Sequence, residues 1–219
     1  MKNLVQKYPF LPYIFPFLLF VLLTGITPYI PGKVMYAYPL KTILVSISVI
    51  LFWPYYAEIK KELKALDLLV ALFFGALVFV IWIFDPAWYP HLGESQVFNP
   101  WQEIEVPWAY IWISFRILGA SVLVAIIEEV FWRGFLLRWL IKEDYQSVSL
   151  GDFTWRSFLI SSVLFGVEHH EWLVGIIAGM LYALLLYRTK SLLTCIIAHG
   201  LTNYMLAMYV LSTGDWKFW

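Results

Sequence analysis

The sequence predicts an all-α fold, a polytopic membrane helix bundle with about seven transmembrane helices, built as one integral membrane domain over residues 1–219. Three observations predict it. Hydrophobic residues make up 62% of the chain and charged residues 14%, against about 45–50% and about 25% in a soluble domain. Mean hydropathy is +0.75. The apolar residues gather into runs long enough to cross a bilayer, and most charges lie between them. Aromatics reach 20%, with 12 Trp and 14 Tyr, the residue types that favour the two membrane interfaces.

The runs fall in order. The first, roughly 10–30, follows an opening that imitates a signal peptide. It lacks a clear small-x-small cleavage site, and Pro9, Pro12 and Pro16 interrupt its long apolar stretch, so it is read as a retained span. The second covers 40–57, with Thr27–Pro28 and Trp53–Pro54 marking ends or kinks. The third covers 67–84 and the fourth 108–137. The fifth, sixth and seventh cover 157–170, 172–187 and 191–211. No internal repeat, low-complexity tract or linker divides the chain.

Charge between the runs predicts orientation. Lys60, Lys61 and Lys64 lie in one connecting segment, Arg138, Lys142 and Arg156 in a second, and Arg188 and Lys190 in a third. Segment 85–107 has no Lys or Arg and carries Asp85, Glu94, Glu103 and Glu105. With seven spans these sets fall on opposite sides. The basic side is cytoplasmic, so the N-terminus is inside. Lys33 and Lys41 lie on the wrong side but are outnumbered. Segment 85–107, with its Trp and Pro residues, is placed along the outer interface, and Trp82, Trp88, Trp101 and Trp108 act as interface anchors.

Some classes are excluded early. Formal net charge is zero, so no basic footprint suggests nucleic acid as a partner. Cys195 is the only cysteine, which rules out an intrachain disulfide and a Cys-based zinc site; it reads as a small packing residue.

The informative residues are ionisable groups inside the spans, which cost several kcal/mol and mark cavities or partners. They form three clusters: Glu128-Glu129 with Arg133, Glu168-His169-His170-Glu171 behind Phe165, and His199 with Thr202 and Asn203. At about 1.5 Å per residue, Glu128 lies about 18 Å from residue 140 and His169 about 20 Å from residue 156. His199 and Asn203 lie about 12 and 18 Å from residue 191. All four therefore reach a similar depth, near mid-bilayer, in a cavity among the fourth, fifth and seventh spans expected to open toward the cytoplasm or laterally to the bilayer. Glu129 and Arg133 share one helical face and can pair, as His199 and Asn203 share another. Gly175, Gly179 and Gly200 allow close helix approach.

Chemistry suggests roles. A carboxylate and an imidazole sharing a water make a general base. A second imidazole and an amide are donors that hold an oxyanion. The set is a peptidase constellation without a Ser, Cys or Asp nucleophile.

These residues resemble the CaaX-protease and bacteriocin-processing family, whose members include the Ras-converting CaaX endopeptidase. Its motifs E-E-x-x-x-R, F-x-x-x-H and H-x-x-x-N stand here as Glu128-Glu129 to Arg133, Phe165 to His169 and His199 to Asn203. The likeness covers roughly residues 108–211, the catalytic helices; the first hundred residues match only as generic membrane helices. It implies an intramembrane endopeptidase acting on a membrane-associated protein or peptide. Glu128 and His169 would activate water, His199 and Asn203 would form the oxyanion hole, and Glu129 and Arg133 would support them, with no cofactor. The compact form resembles prokaryotic members and implies a multi-pass protein of a prokaryotic cytoplasmic membrane. No feature of the chain reads a prenyl group.

Two other readings compete. One makes Glu128, His169 and His199 ligands of a catalytic zinc, although no H-E-x-x-H pair is present. The other is non-enzymatic: a membrane binding or immunity protein, or a proton-coupled carrier, although the inverted halves of a carrier are missing. Glu168, His170 and Glu171 read as interfacial residues, Phe165 as packing, Arg116 as paired or snorkelling, and His91 as a loop residue without a role.

Overall fold

The computed structural model describes residues 2–29, 34–60, 62–84, 89–93 and 97–219. Lys33, Lys61, Asp85, Trp88 and Glu94, which carry part of the charge and interface reading, lie outside the described residues. Among the described residues the regular structure is helical, with no strand, and the fold is the expected all-α membrane bundle.

A short α1 (Lys2–Lys7) precedes α2 (Leu11–Ile26) and α3 (Val34–Phe52). Then come α4 (Ala65–Ile83), the short α5 (Pro100–Glu103) and α6 (Val106–Trp139). The series closes with α7 (Trp155–Val167), α8 (Trp172–Thr189) and α9 (Leu192–Thr213). Each of the seven predicted spans thus has its helix. Five stretches are long and apolar enough to cross a membrane: Tyr36–Tyr55, α4, α6, α8 and α9. The other two are shorter, with 16 residues in α2 and 13 in α7. At 1.5 Å per residue α7 rises only about 20 Å, less than a hydrocarbon core of about 30 Å. It stops at Val167, where the polar run Glu168–Glu171 begins.

The ends follow local chemistry. Thr154 Oγ1 accepts the Ser157 N–H at 3.1 Å and caps α7. Ser191 Oγ accepts the Thr194 N–H at 3.4 Å and caps α9. Gly214, at φ 73°, ends α9 in the left-handed conformation that glycine adopts without penalty.

Small residues face inward and large apolar ones face out, as expected where lipid is the solvent. On α4, Ala71, Gly75 and Val78 are buried, while Leu66, Leu69, Phe73 and Val80 are exposed. A Cβ on Gly75 would stand 2.6 Å from the Ala198 carbonyl oxygen, so α4 and α9 pack backbone to backbone. A Cβ on Gly175 would stand 2.8 Å from Gly166 Cα, which joins α7 to α8 in the same way. These two pairs make the most extensive helix contacts in the bundle.

The two ends of the bundle differ. At one end Tyr13 Oη donates to Glu58 at 2.9 Å, Arg138 Nη2 donates to Glu58 at 2.8 Å, and Tyr145 Oη donates to the Pro9 carbonyl at 2.9 Å. These bonds gather the connections rich in Lys and Arg. At the other end His170 Nδ1 donates to the Leu92 carbonyl at 2.6 Å, and Trp112 stacks on Trp219 at 6.2 Å.

Candidate active site

The middle of α6 is not a uniform α-helix. Ala125–Glu129 keeps the regular turn, while Gly119–Val124 before it and Val130–Leu136 after it are wound in the wider π form. Such widenings recur at functional sites because they re-aim side chains without ending the helix. Glu128, Glu129 and Arg133 are all buried there, at 5%, 0% and 2% exposure.

Glu129 Oε1 accepts the Arg133 Nη1 hydrogen at 3.1 Å, the intrahelical pair expected from the spacing. Arg133 Nη2 donates to the Gly179 carbonyl at 3.2 Å, and its guanidinium lies 4.4 Å from the Phe165 ring centroid. The same Glu129 oxygen faces His199 Nδ1 at 2.9 Å. An oxygen already receiving an arginine hydrogen is an acceptor, so Nδ1 carries the proton. That leaves His199 Nε2 turned toward Glu128 Oε2, 3.9 Å away. Glu128 Oε2 has no hydrogen-bond partner among the described residues.

His169 stands just past the end of α7. Its Nδ1 lies 2.8 Å from the Phe165 carbonyl, which can only accept, so Nδ1 again carries the proton and Nε2 holds the lone pair. Trp82, at 5.2 Å and 75°, and Phe165, at 4.9 Å, fix the plane of the ring. Asn203 Nδ2 donates one hydrogen to the Ala120 carbonyl at 2.9 Å. The second amide hydrogen remains for another acceptor.

A cavity of about 750 Å³ is lined by Glu128, His169, His199 and Asn203 together, with Trp82, Phe165 and Tyr182. The four predicted site residues therefore meet in one space, although they come from three segments far apart in the chain. Glu129 and Arg133 lie behind it. Glu168, His170 and Glu171 line the same cavity. His170 also stacks on His91 at 4.8 Å, so the loop histidine does have a partner.

The direction of the opening differs from expectation. The cavity reaches Thr24, Arg116, Glu171 and Trp219, at the end of the bundle opposite the basic connections. Helix rise gives depth from either end alike, so similar depths could not say which end is open.

Sequence reasoning passed over Tyr182, and it placed Thr202 in the third cluster without a role. Tyr182 stacks on His199 at 5.1 Å and 17°, and its hydroxyl donates to Thr202 Oγ1 at 2.8 Å. Thr202 Oγ1 donates in turn to the Gly75 carbonyl at 2.9 Å. A signal was present, since Gly175, Gly179 and Tyr182 share one stripe of α8 at helical spacing. Arg116 finds no acidic partner among the described residues: Nη1 donates to Tyr38 Oη at 3.2 Å, and the guanidinium lies 5.8 Å from the Trp219 ring.

Among the described residues, no group of three or more His, Cys, Asp or Glu side chains is arranged to hold a metal ion. Glu128, His169 and His199 line the same cavity.

No curated protein and no solved structure matches the chain. A family match does exist, over residues 108–205, to the family described as type II CAAX prenyl endopeptidase, Rce1-like. That interval runs from the first turn of α6 into α9 and holds all three motifs. Residues 108–205 thus carry the signature of the CaaX-protease family to which Glu128-Glu129 to Arg133, Phe165 to His169 and His199 to Asn203 pointed.

Proposed function

We propose that this chain is an intramembrane endopeptidase that hydrolyses a peptide bond of a membrane-associated protein or peptide, without a metal cofactor. The observation that carries the reading is the pairing of free acceptors. His169 and Glu128 both line one cavity; the His169 ring is held from behind by the Phe165 carbonyl, and Glu128 Oε2 has no partner among the described residues.

In this reading a water between Glu128 and His169 loses a proton to that pair and attacks the carbonyl carbon. The carbonyl oxygen becomes an oxyanion and takes the spare Asn203 Nδ2 hydrogen. His199 is the second donor, from Nε2, when both ring nitrogens carry protons. Glu129 holds its Nδ1 side in either form. Collapse of the tetrahedral intermediate breaks the C–N bond, and the abstracted proton goes to the leaving amine. Arg133 and Glu129 position His199 and do not touch substrate. Tyr182 keeps the ring flat against α8. The family match supports peptide-bond hydrolysis as the reaction class.

The test is proteolysis of a membrane-tethered peptide library by wild type and Glu128→Gln, with metal content measured on the same samples. Cleavage by metal-free wild type and none by the variant is the expected result. A requirement for bound zinc would move Glu128, His169 and His199 to the ligand role. No cleavage by wild type would favour a binding or carrier function.

A further inference from the structure

The mouth of the cavity and the positive charge of the loops lie at opposite ends of the bundle. At one end, Lys60 and Lys64 lie between α3 and α4, Lys142 and Arg156 between α6 and α7, and Arg188 and Lys190 between α8 and α9. The Glu58–Arg138–Tyr13 bonds tie the connection between α3 and α4 to the ends of α6 and α2. All are short connections, the kind whose Lys and Arg content sets membrane orientation.

The cavity opens at the other end. There the described connection 97–105 has no Lys or Arg and carries Glu103 and Glu105. The turn between α7 and α8 carries Glu168 and Glu171 and no cation. Lys41, Arg116 and Lys217 are the described cations of this half. Lys41 and Arg116 belong to helices, not loops. Lys41 is 7% exposed and donates to Thr24 Oγ1 at 2.9 Å, while Arg116 donates to Tyr38 Oη. Lys41 is buried inside the bundle, while Arg116 is half-buried in the cavity wall. Lys217 lies 3.7 Å from Asp215, a pair that adds no net charge.

We infer that the cavity opens on the extracytoplasmic face, so that the substrates are exported or membrane-anchored polypeptides whose cleaved segment lies outside the cytoplasm. This rests on the proteolytic reading for the word substrate, but the orientation stands on charge and cavity alone. The wall chemistry agrees with it. The mouth is framed by Trp82, Trp219 and Phe218, aromatic groups suited to the headgroup layer. A peptide emerging from an outer membrane anchor would therefore reach Glu128 without crossing the bilayer core.

The test uses the intact protein in spheroplasts. Single cysteines are introduced at exposed sites: Val97→Cys and Thr213→Cys at the cavity end, Lys142→Cys and Trp155→Cys at the basic end. Cys195 is buried and serves as the unlabelled control. A membrane-impermeant maleimide should modify Val97→Cys and Thr213→Cys in intact spheroplasts, and the other two only after permeabilisation. The reverse pattern, or equal labelling from both sides, would overturn the orientation. A second arm presents one cleavable segment on either side of a tethered reporter. Glu128-dependent cutting of the outer segment supports the substrate class, and cutting of the inner one alone overturns it. If neither is cut, the proteolytic reading fails and takes the substrate class with it, while the labelling still decides the orientation.

Discussion

Two Arg–Glu pairs of this bundle, one part-buried and one fully buried, do different things. Arg138–Glu58 closes at 2.8 Å between residues far apart in sequence. Tyr13 donates to the same carboxylate, and Arg138 Nε donates to the Gly134 carbonyl at 2.6 Å. Its charges are answered on all sides, and it ties α2, α6 and the segment after α3 at the basic end. Arg133–Glu129 closes at 3.1 Å within one helix. Its carboxylate keeps Oε2 without a partner among the described residues and gives Oε1 also to His199. The first pair is a clamp whose loss loosens the fold. The second orients a ring that faces a cavity. Charge alone does not separate the two roles; what the third partner faces does.

The comparison can be broken by substitution, starting where the effect is greatest. Glu128→Gln should lower the cleavage rate about 10²–10⁴-fold, the usual worth of a general base, with thermal stability unchanged. A variant that retains activity would detach the cavity from the chemistry. Asn203→Ala should lower kcat about 10²–10³-fold, as for one oxyanion donor. A rise in KM alone would make it a substrate-binding residue instead. Glu58→Gln should act the other way. It should destabilise the protein by about 1–3 kcal/mol, the worth of a hydrogen bond to a charged group, while activity per folded molecule stays unchanged. Lost activity in folded Glu58→Gln would erase the distinction between the pairs. Thr154→Ala removes the cap of α7 and should cost about 1 kcal/mol in thermal denaturation, with little change in rate.

The two pairs also show what a sequence makes legible. Glu129 and Arg133 are four residues apart, and the geometry of a single helix is enough to make that pair readable. Glu58 and Arg138 are joined only by the fold, so no local pattern announces them. The same limit holds elsewhere. The seven apolar runs were readable because length and hydropathy are properties of single segments. The meeting of Glu128, His169, His199 and Asn203 was readable because equal depths narrow where polar groups can lie. Tyr182 against His199 was missed because it depends on how α8 turns toward α9. The open end of the cavity was misjudged because depth is symmetric about the bilayer centre. That His169 falls beyond the end of α7 depends on where a 13-residue helix stops, not on hydropathy.

The proposed function depends on one step, the attack on a peptide bond by a water held between Glu128 and His169. The most direct measurement is cleavage of a membrane-tethered peptide by purified, metal-analysed protein, wild type against Glu128→Gln, in one lipid system. Metal-free wild type is expected to cleave, with a loss of about 10²–10⁴-fold in the variant. Undiminished cleavage by Glu128→Gln would contradict that step.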